Sequence, residues 1–403
     1  MPHGPISLTI QYLEGSAAHA RRVRPPEALE RLQAIKDRVP LQRMLLGWNL
    51  PEAVVETCAA ACQRGGIEMY LWQPLLTGDG DFTPPLAWGT IGLSGNAVPG
   101  HGGLAEFTFI CPNRPAARAA ALEHLEKVLV SGYYQGVFLD RIRYPSPAGN
   151  VAGELACFCP DCQRAAEQAG IDLGGIQRTL RESLELRQGR ASLASGLLRC
   201  PAEGDQAGEA LRRLLAFREA SITGMVKDAA ETARRQGLRV GLDCFSPRLA
   251  AMVGQDMSAL SAMADWVKVM TYLRAYGPAT IPFELSGLAD WLQAAGLNEA
   301  EALAQLAEAS GWNLPETLAA MRHGGLESAI LVNEIQRARG ETNGDLLAGI
   351  ELVEMAGVSE LNARQIRADL AVLAGSGADG LVLSWDGWSI PLERLELVGA
   401  VIG

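Results

Sequence analysis

GVFLDRIRYPSP, residues 136–147, carries the pattern on which the fold turns. Four residues, Gly136 to Leu139, are apolar without polar alternation. An acid, Asp140, and two arginines, Arg141 and Arg143, follow at once. A strand with no polar face reads as one covered on both sides, as in a parallel sheet flanked by helices. In such sheets the carboxyl ends of the strands hold the functional side chains. Working outward, similar runs recur: ISLTIQ (6–11), RMLLGWN (43–49) and EMYLWQ (68–73) before it, RVGLDCF (239–245), WVKVMTY (266–272), AILVNEI (329–335) and GLVLSWD (380–386) after it. With GVFLDRI (136–142) the count is eight. Helical patterns lie between them, at 26–39, 51–65, 114–132, about 206–236, 316–325 and 360–377. Eight strand–helix units predict an α/β fold, a (β/α)8 TIM barrel formed as a single domain by residues 1–403. A doubly wound open sheet is the alternative. The joins after strands are long, at 74–108, 143–205 and 273–300. All three would gather on one rim, with residues 143–205 an insert that carries a cysteine cluster.

Of the 403 residues, 48% are hydrophobic and 20% charged, with a net charge of −11 and no run of Lys or Arg. This argues against a nucleic-acid partner. No apolar run approaches the ~20 residues of a membrane span. The N-terminal residues lack a basic segment followed by an apolar one, so a cytoplasmic location is expected. Oligomerisation is compatible with the sequence. No strand–GxGxxG–helix unit or GxxxxGK[ST] motif occurs, so no organic cofactor is expected.

The strand ends converge on one chemistry. They offer Trp48 and Asn49, Trp72 and Gln73, Asp140 with Arg143, Asp243, Tyr272, Asn333 and Glu334, and Trp385 with Asp386. Paired carboxylates are what glycosidic bond cleavage requires. One acid protonates the leaving oxygen, and the other attacks the sugar carbon or activates water. Asp140, Asp243 and Glu334 are the catalytic candidates, with Asp140 as nucleophile and Asp243 and Glu334 competing for the acid/base role. Trp48, Asn49, Trp72, Gln73, Arg143, Tyr272, Asn333, Trp385 and Asp386 are the candidates for holding a carbohydrate substrate through hydroxyl hydrogen bonds and stacking. Each acid also has a plainer reading. Asp140 pairs with a neighbouring arginine, Asp243 and Glu334 are buried structural acids, and Asp386 caps a turn. The five histidines avoid the predicted strand ends, which argues against a catalytic metal there.

Cys157, Cys159 and Cys162 form C-x-C-x2-C. Three thiolates so close suit three corners of a tetrahedral, structural Zn2+ site. Cys111 is favoured as the fourth ligand, with Cys200 next; three free thiols are the alternative.

GVFLDRIRYP, FREASITGMV, GLDCFSP and GQDMSALSAMADWVKVMTY, taken in order, resemble a loose set of glycosidase-like TIM-barrel families. The likeness spans about residues 136–272 and implies a glycoside hydrolase. A non-catalytic carbohydrate-binding barrel related to glycosidases is the alternative. The cysteine spacing, with Cys111 upstream, is similar to the zinc site of family 42 β-galactosidases and implies Cys111, Cys157, Cys159 and Cys162 as ligands. The Asn-Glu pair that those enzymes carry at strand four is Leu-Asp here, so their activity does not follow.

Overall fold

The computed structural model describes residues 6–101, 104, 107–198 and 205–402. Eight parallel strands close into a barrel: β1 (Ser7–Tyr12), β2 (Leu41–Leu46), β3 (Glu68–Pro74), β4 (Gly136–Asp140), β5 (Arg239–Phe245), β6 (Trp266–Met270), β7 (Asp345–Glu351) and β8 (Gly380–Ser384). Each pairs in parallel with the next, and β8 closes on β1. The (β/α)8 reading therefore holds, and the open sheet is excluded.

Strand side chains alternate between the barrel interior and the helical layer. The interior is aromatic: Trp48, Tyr70, Trp72, Phe138 and Trp266 pack there with Leu45, Leu347 and Val382. Phe138 and Trp266 stack at 5.1 Å between centroids. Such rings fit because glycines face them. A Cβ at Gly241 would sit 2.2 Å from the Trp266 ring, and one at Gly136 2.2 Å from Tyr70. Gly241→Ala is accordingly expected to cost about 1–3 kcal/mol through overpacking, read as a lower urea midpoint at unchanged slope.

One strand expectation is overturned. AILVNEI (329–335) lies within a helix, Ala329–Glu341, and β7 is DLLAGIE further on. The buried positions in that helix are Ile330, Leu331, Glu334, Ile335 and Ala338, spaced for one helical face. The local β-branched run was outweighed by this longer period. A second difference concerns residues 143–205. The described part of this insert holds four helices: Val151–Glu154, Pro160–Gln168, Leu173–Leu184 and Arg187–Leu197. Cys200 lies outside the described residues. Among those residues no helix is long and apolar enough to cross a membrane.

Candidate active site at the carboxyl mouth of the barrel

Register places Asp140 and Asp243 side by side. Leu139 pairs with Leu242 across β4 and β5, so the next position in each strand is the acid. Neighbouring strands lie roughly 4.8 Å apart. Both acids share the inward parity of Phe138 and Gly241. Asp140 is half-buried and held by two N–H donors: Trp72 Nε1 at 3.0 Å and its neighbour's amide, Arg141 N, at 2.5 Å. No ion pair joins Asp140 to an arginine among the described residues, so the pairing with Arg141 or Arg143 is not formed. Arg141 leaves the strand through left-handed backbone (φ 54°). Its guanidinium lies over the Trp48 ring and reaches Thr77 Oγ1 at 3.1 Å. Left-handed backbone costs a non-glycine residue about 1–2 kcal/mol and persists where its surroundings enforce it.

Asp243 is buried deeper. Its Oδ2 accepts from Lys268 Nζ at 3.1 Å, and the same ammonium donates to Gln11 Oε1 at 3.1 Å. Its Oδ1 has no hydrogen-bond partner among the described residues. Burial pushes the Asp243 carboxyl up to about 7; Lys268 opposes the rise and the charge of Asp140 adds to it. Lys268 stays charged, its pKa raised by Asp243 and Tyr272 against the effect of burial. The lysine stands in the middle of the apolar run WVKVM, a signal that the sequence reading passed over. Glu351, the true acid of β7, was also missed because that strand was misplaced. It is buried, accepts from Arg274 N and from Ala275 N (3.2 Å), and is pushed up to about 7 by burial.

These two carboxyls make stability pH-dependent. In the folded chain each keeps its proton up to about pH 7, while ordinary Asp and Glu carboxyls lose theirs near 3.8 and 4.5. Between those limits the folded state binds more protons, so its stability should fall as pH rises from about 4 to about 7. Urea midpoints across that range test the sign, and Asp243→Asn should flatten the slope.

The remaining predicted residues divide by strand parity. Trp72 faces the interior, edge-on to Trp48 at 5.2 Å. Gln73, one residue on, points outward and donates to Asp79 Oδ2 at 2.6 Å, which also meets His124 Nε2 at 2.6 Å. Asn49 lies against Asp79 and Asp81 on the following loop. Tyr272 and Trp385 meet at 6.0 Å. Asp386 caps its turn: it accepts from Leu13 N and Trp388 N and pairs with His19 at 3.0 Å. Glu334 and Asn333 are not at a strand end. Glu334 lies in the helical layer, buried, accepting from Ser246 Oγ and Arg248 N, and Asn333 is exposed on the same helix. Arg143 lines a separate cleft beside the mouth.

The cysteines gather as one cluster. The ligand atoms of Cys111, Cys157, Cys159 and Cys162 all lie within 4.8 Å of one another, and all four residues are buried. Cys111 Sγ is 3.4 Å from Cys162 Sγ and 3.5 Å from Cys159 Sγ. A tetrahedron with metal–sulfur bonds of about 2.3 Å has edges of roughly 3.8 Å, so the set fits a metal ion. Ile91 N, Cys162 N and Asn113 Nδ2 donate to three of the sulfurs, as suits thiolates. The cluster joins the loop after β3 to the insert after β4.

Fold and site together define a (β/α)8 barrel with neighbouring acids at its carboxyl mouth and a four-thiol cluster beside it. No protein-family model matches the sequence, and no curated protein matches it. Solved structures do share the fold. The β-galactosidase of the haloarchaeon Halorubrum lacusprofundi superposes with a TM-score of 0.59 at 12% identity, over 98% of this chain and 57% of that one. The β-galactosidase of Marinomonas ef1 gives 0.56 at 11%, over 98% and 59%. The PgaB glycoside hydrolase domain of Bordetella bronchiseptica gives 0.53 at 13%, over 96% and 95%. The chain thus spans under two thirds of the galactosidases and nearly all of the PgaB domain. At these identities the likeness is one of fold.

Proposed function

We propose that this barrel is a glycoside hydrolase in which Asp140 and Asp243 form the working pair. The observation that carries the reading is their adjacent register on β4 and β5, with one carboxyl carrying a raised pKa. A strand spacing of roughly 4.8 Å is compatible with the ~5–5.5 Å carboxyl separation of retaining enzymes, and this supports retention. Asp140, gripped by two donors, serves as the nucleophile. Asp243, protonated to about pH 7, donates to the leaving oxygen. Lys268 then stabilises the carboxylate that proton donation leaves behind. The fold likeness to two β-galactosidases and a glycoside hydrolase domain supports the reaction class.

The decisive experiment is a turnover screen of the full chain on aryl glycosides and oligosaccharides, with the product anomer followed by NMR. Cleavage with retained configuration is expected. The Asp243–Lys268 ion pair favours a second reading, a barrel that binds carbohydrate without cleaving it, because a lysine that neutralises an acid also suits a purely structural pair. Saccharide binding with no turnover would decide for that reading.

The cysteine cluster is proposed to hold one structural Zn2+ with four thiolates and no open position, in the manner of family 42 β-galactosidases. Bound there, the ion would cross-link two loops of the rim and take no part in bond cleavage. Protein purified without added metal is expected to contain about one zinc per chain. Cys159→Ser should lower that content and increase proteolysis within residues 88–113 and 143–168. A metal-free wild type would overturn the assignment.

A further inference from the structure

A cleft of about 270 Å³ opens where the insert after β4 meets the loop after β6. Arg143 forms part of its wall. The guanidinium is clamped between the rings of Phe109 and Phe245, at 4.5 and 4.8 Å, and the residue is only 7% exposed. It donates to Tyr144 O at 3.2 Å, and among the described residues no carboxylate lies within ion-pair distance. A buried guanidinium has five N–H donors to satisfy, and most of these are left for whatever enters the cleft.

Two acids share the cleft with it. Glu284, on the helix Ile281–Gln293, is buried and fixed by Ser146 Oγ and by Ala279 N at 2.9 Å. Glu154, on the helix Val151–Glu154, is pushed up to about 7 by burial and by the charge of Glu284. Phe283 and His101, edge to face at 5.2 Å, supply an apolar wall. Arg143 stands three residues after Asp140, so the cleft lies beside the end of β4.

The chemistry selects the occupant. A simple anion would be repelled by the two acids, and a metal cation by Arg143. A neutral ring bearing hydroxyls satisfies all of them. Its oxygens accept from Arg143, its hydroxyl hydrogens donate to Glu154 and Glu284, and its C–H face covers Phe283. We propose that this cleft is a sugar-ring subsite, and that the substrate is an oligosaccharide reaching past the cleaved bond into it. The site of cleavage rests on the hydrolase reading; binding in the cleft does not.

The test is calorimetric titration of full-length Asp140→Asn protein with galactose, galactobiose and galactotetraose, and with N-acetylglucosamine, chitobiose and chitotetraose. In one series the tetrasaccharide is expected to bind at least about tenfold tighter than the monosaccharide. Glu154→Gln and Phe283→Ala, each added separately, should remove most of that gain while thermal unfolding stays cooperative. A gain that survives both substitutions overturns the proposal, as does an absence of binding in both series. Length-dependent binding lost in both variants, with no turnover by the wild type, would sink the hydrolase reading and leave the subsite standing.

Discussion

Asp140→Asn is expected to lower kcat for any cleaved glycoside by about 10²–10⁴-fold or more while saccharide binding changes little. The amide keeps the shape of the side chain and can still accept from Trp72 Nε1, so the indole should stay in place. What disappears is the charge that attacks the sugar or activates water. Two further readouts make the result specific. Removing the charge takes away one of the influences that raise Asp243, so the alkaline limb of any residual activity should move to lower pH. In Asp140→Gly, where the side chain is gone, added azide should restore turnover and give a glycosyl azide of inverted configuration, because a small anion can occupy the space of the lost nucleophile. A variant that turns over as the wild type does would remove Asp140 from the chemistry.

Lys268→Met is expected to cost about 3–5 kcal/mol at pH 8, where it leaves an ionised Asp243 buried without its partner. At pH 5 the loss should be smaller. There Asp243 already carries its proton in the wild type, so removing the lysine strands no charge. The double variant Asp243→Asn with Lys268→Met should recover much of the pH 8 loss, as coupled residues do in a mutant cycle. Chemical denaturation at the two pH values measures all of this. A loss that does not depend on pH would mean that Lys268 acts through packing against Phe138 and Tyr272 rather than through its charge.

The candidate site was legible in part, and strand parity explains where the reading stopped. Asp140 and Asp243 were found because each ends a continuous apolar run, a signal confined to a few residues. Gln73 was grouped with Trp72 because both stand at a strand end, yet a pleated strand sends adjacent side chains to opposite faces. Asn333 and Glu334 were displaced because a four-residue apolar run is equally compatible with a buried strand and with one face of a helix. Lys268 is marked only by its place inside the apolar run WVKVM, and Glu284 and Glu154 carry no local mark. A glutamate in a helix is ordinary until the fold brings an opposing charge or an open cleft against it.

From the residues alone came seven of the eight strands and their alternation with helices, the long loops on one rim, the carboxylate after GVFL and the trio of closely spaced thiols. These are consequences of short-range periodicity and composition, which any stretch of chain expresses by itself. Tertiary structure alone decided that Asp140 and Asp243 are neighbours, that Lys268 reaches Asp243 and Gln11 inside the barrel, that Cys111 completes the sulfur cluster, and that Arg143 faces two acids across a cleft. Those facts depend on barrel closure and register, which join residues up to 257 positions apart, and on desolvation, which exists only once the chain has packed around the charges.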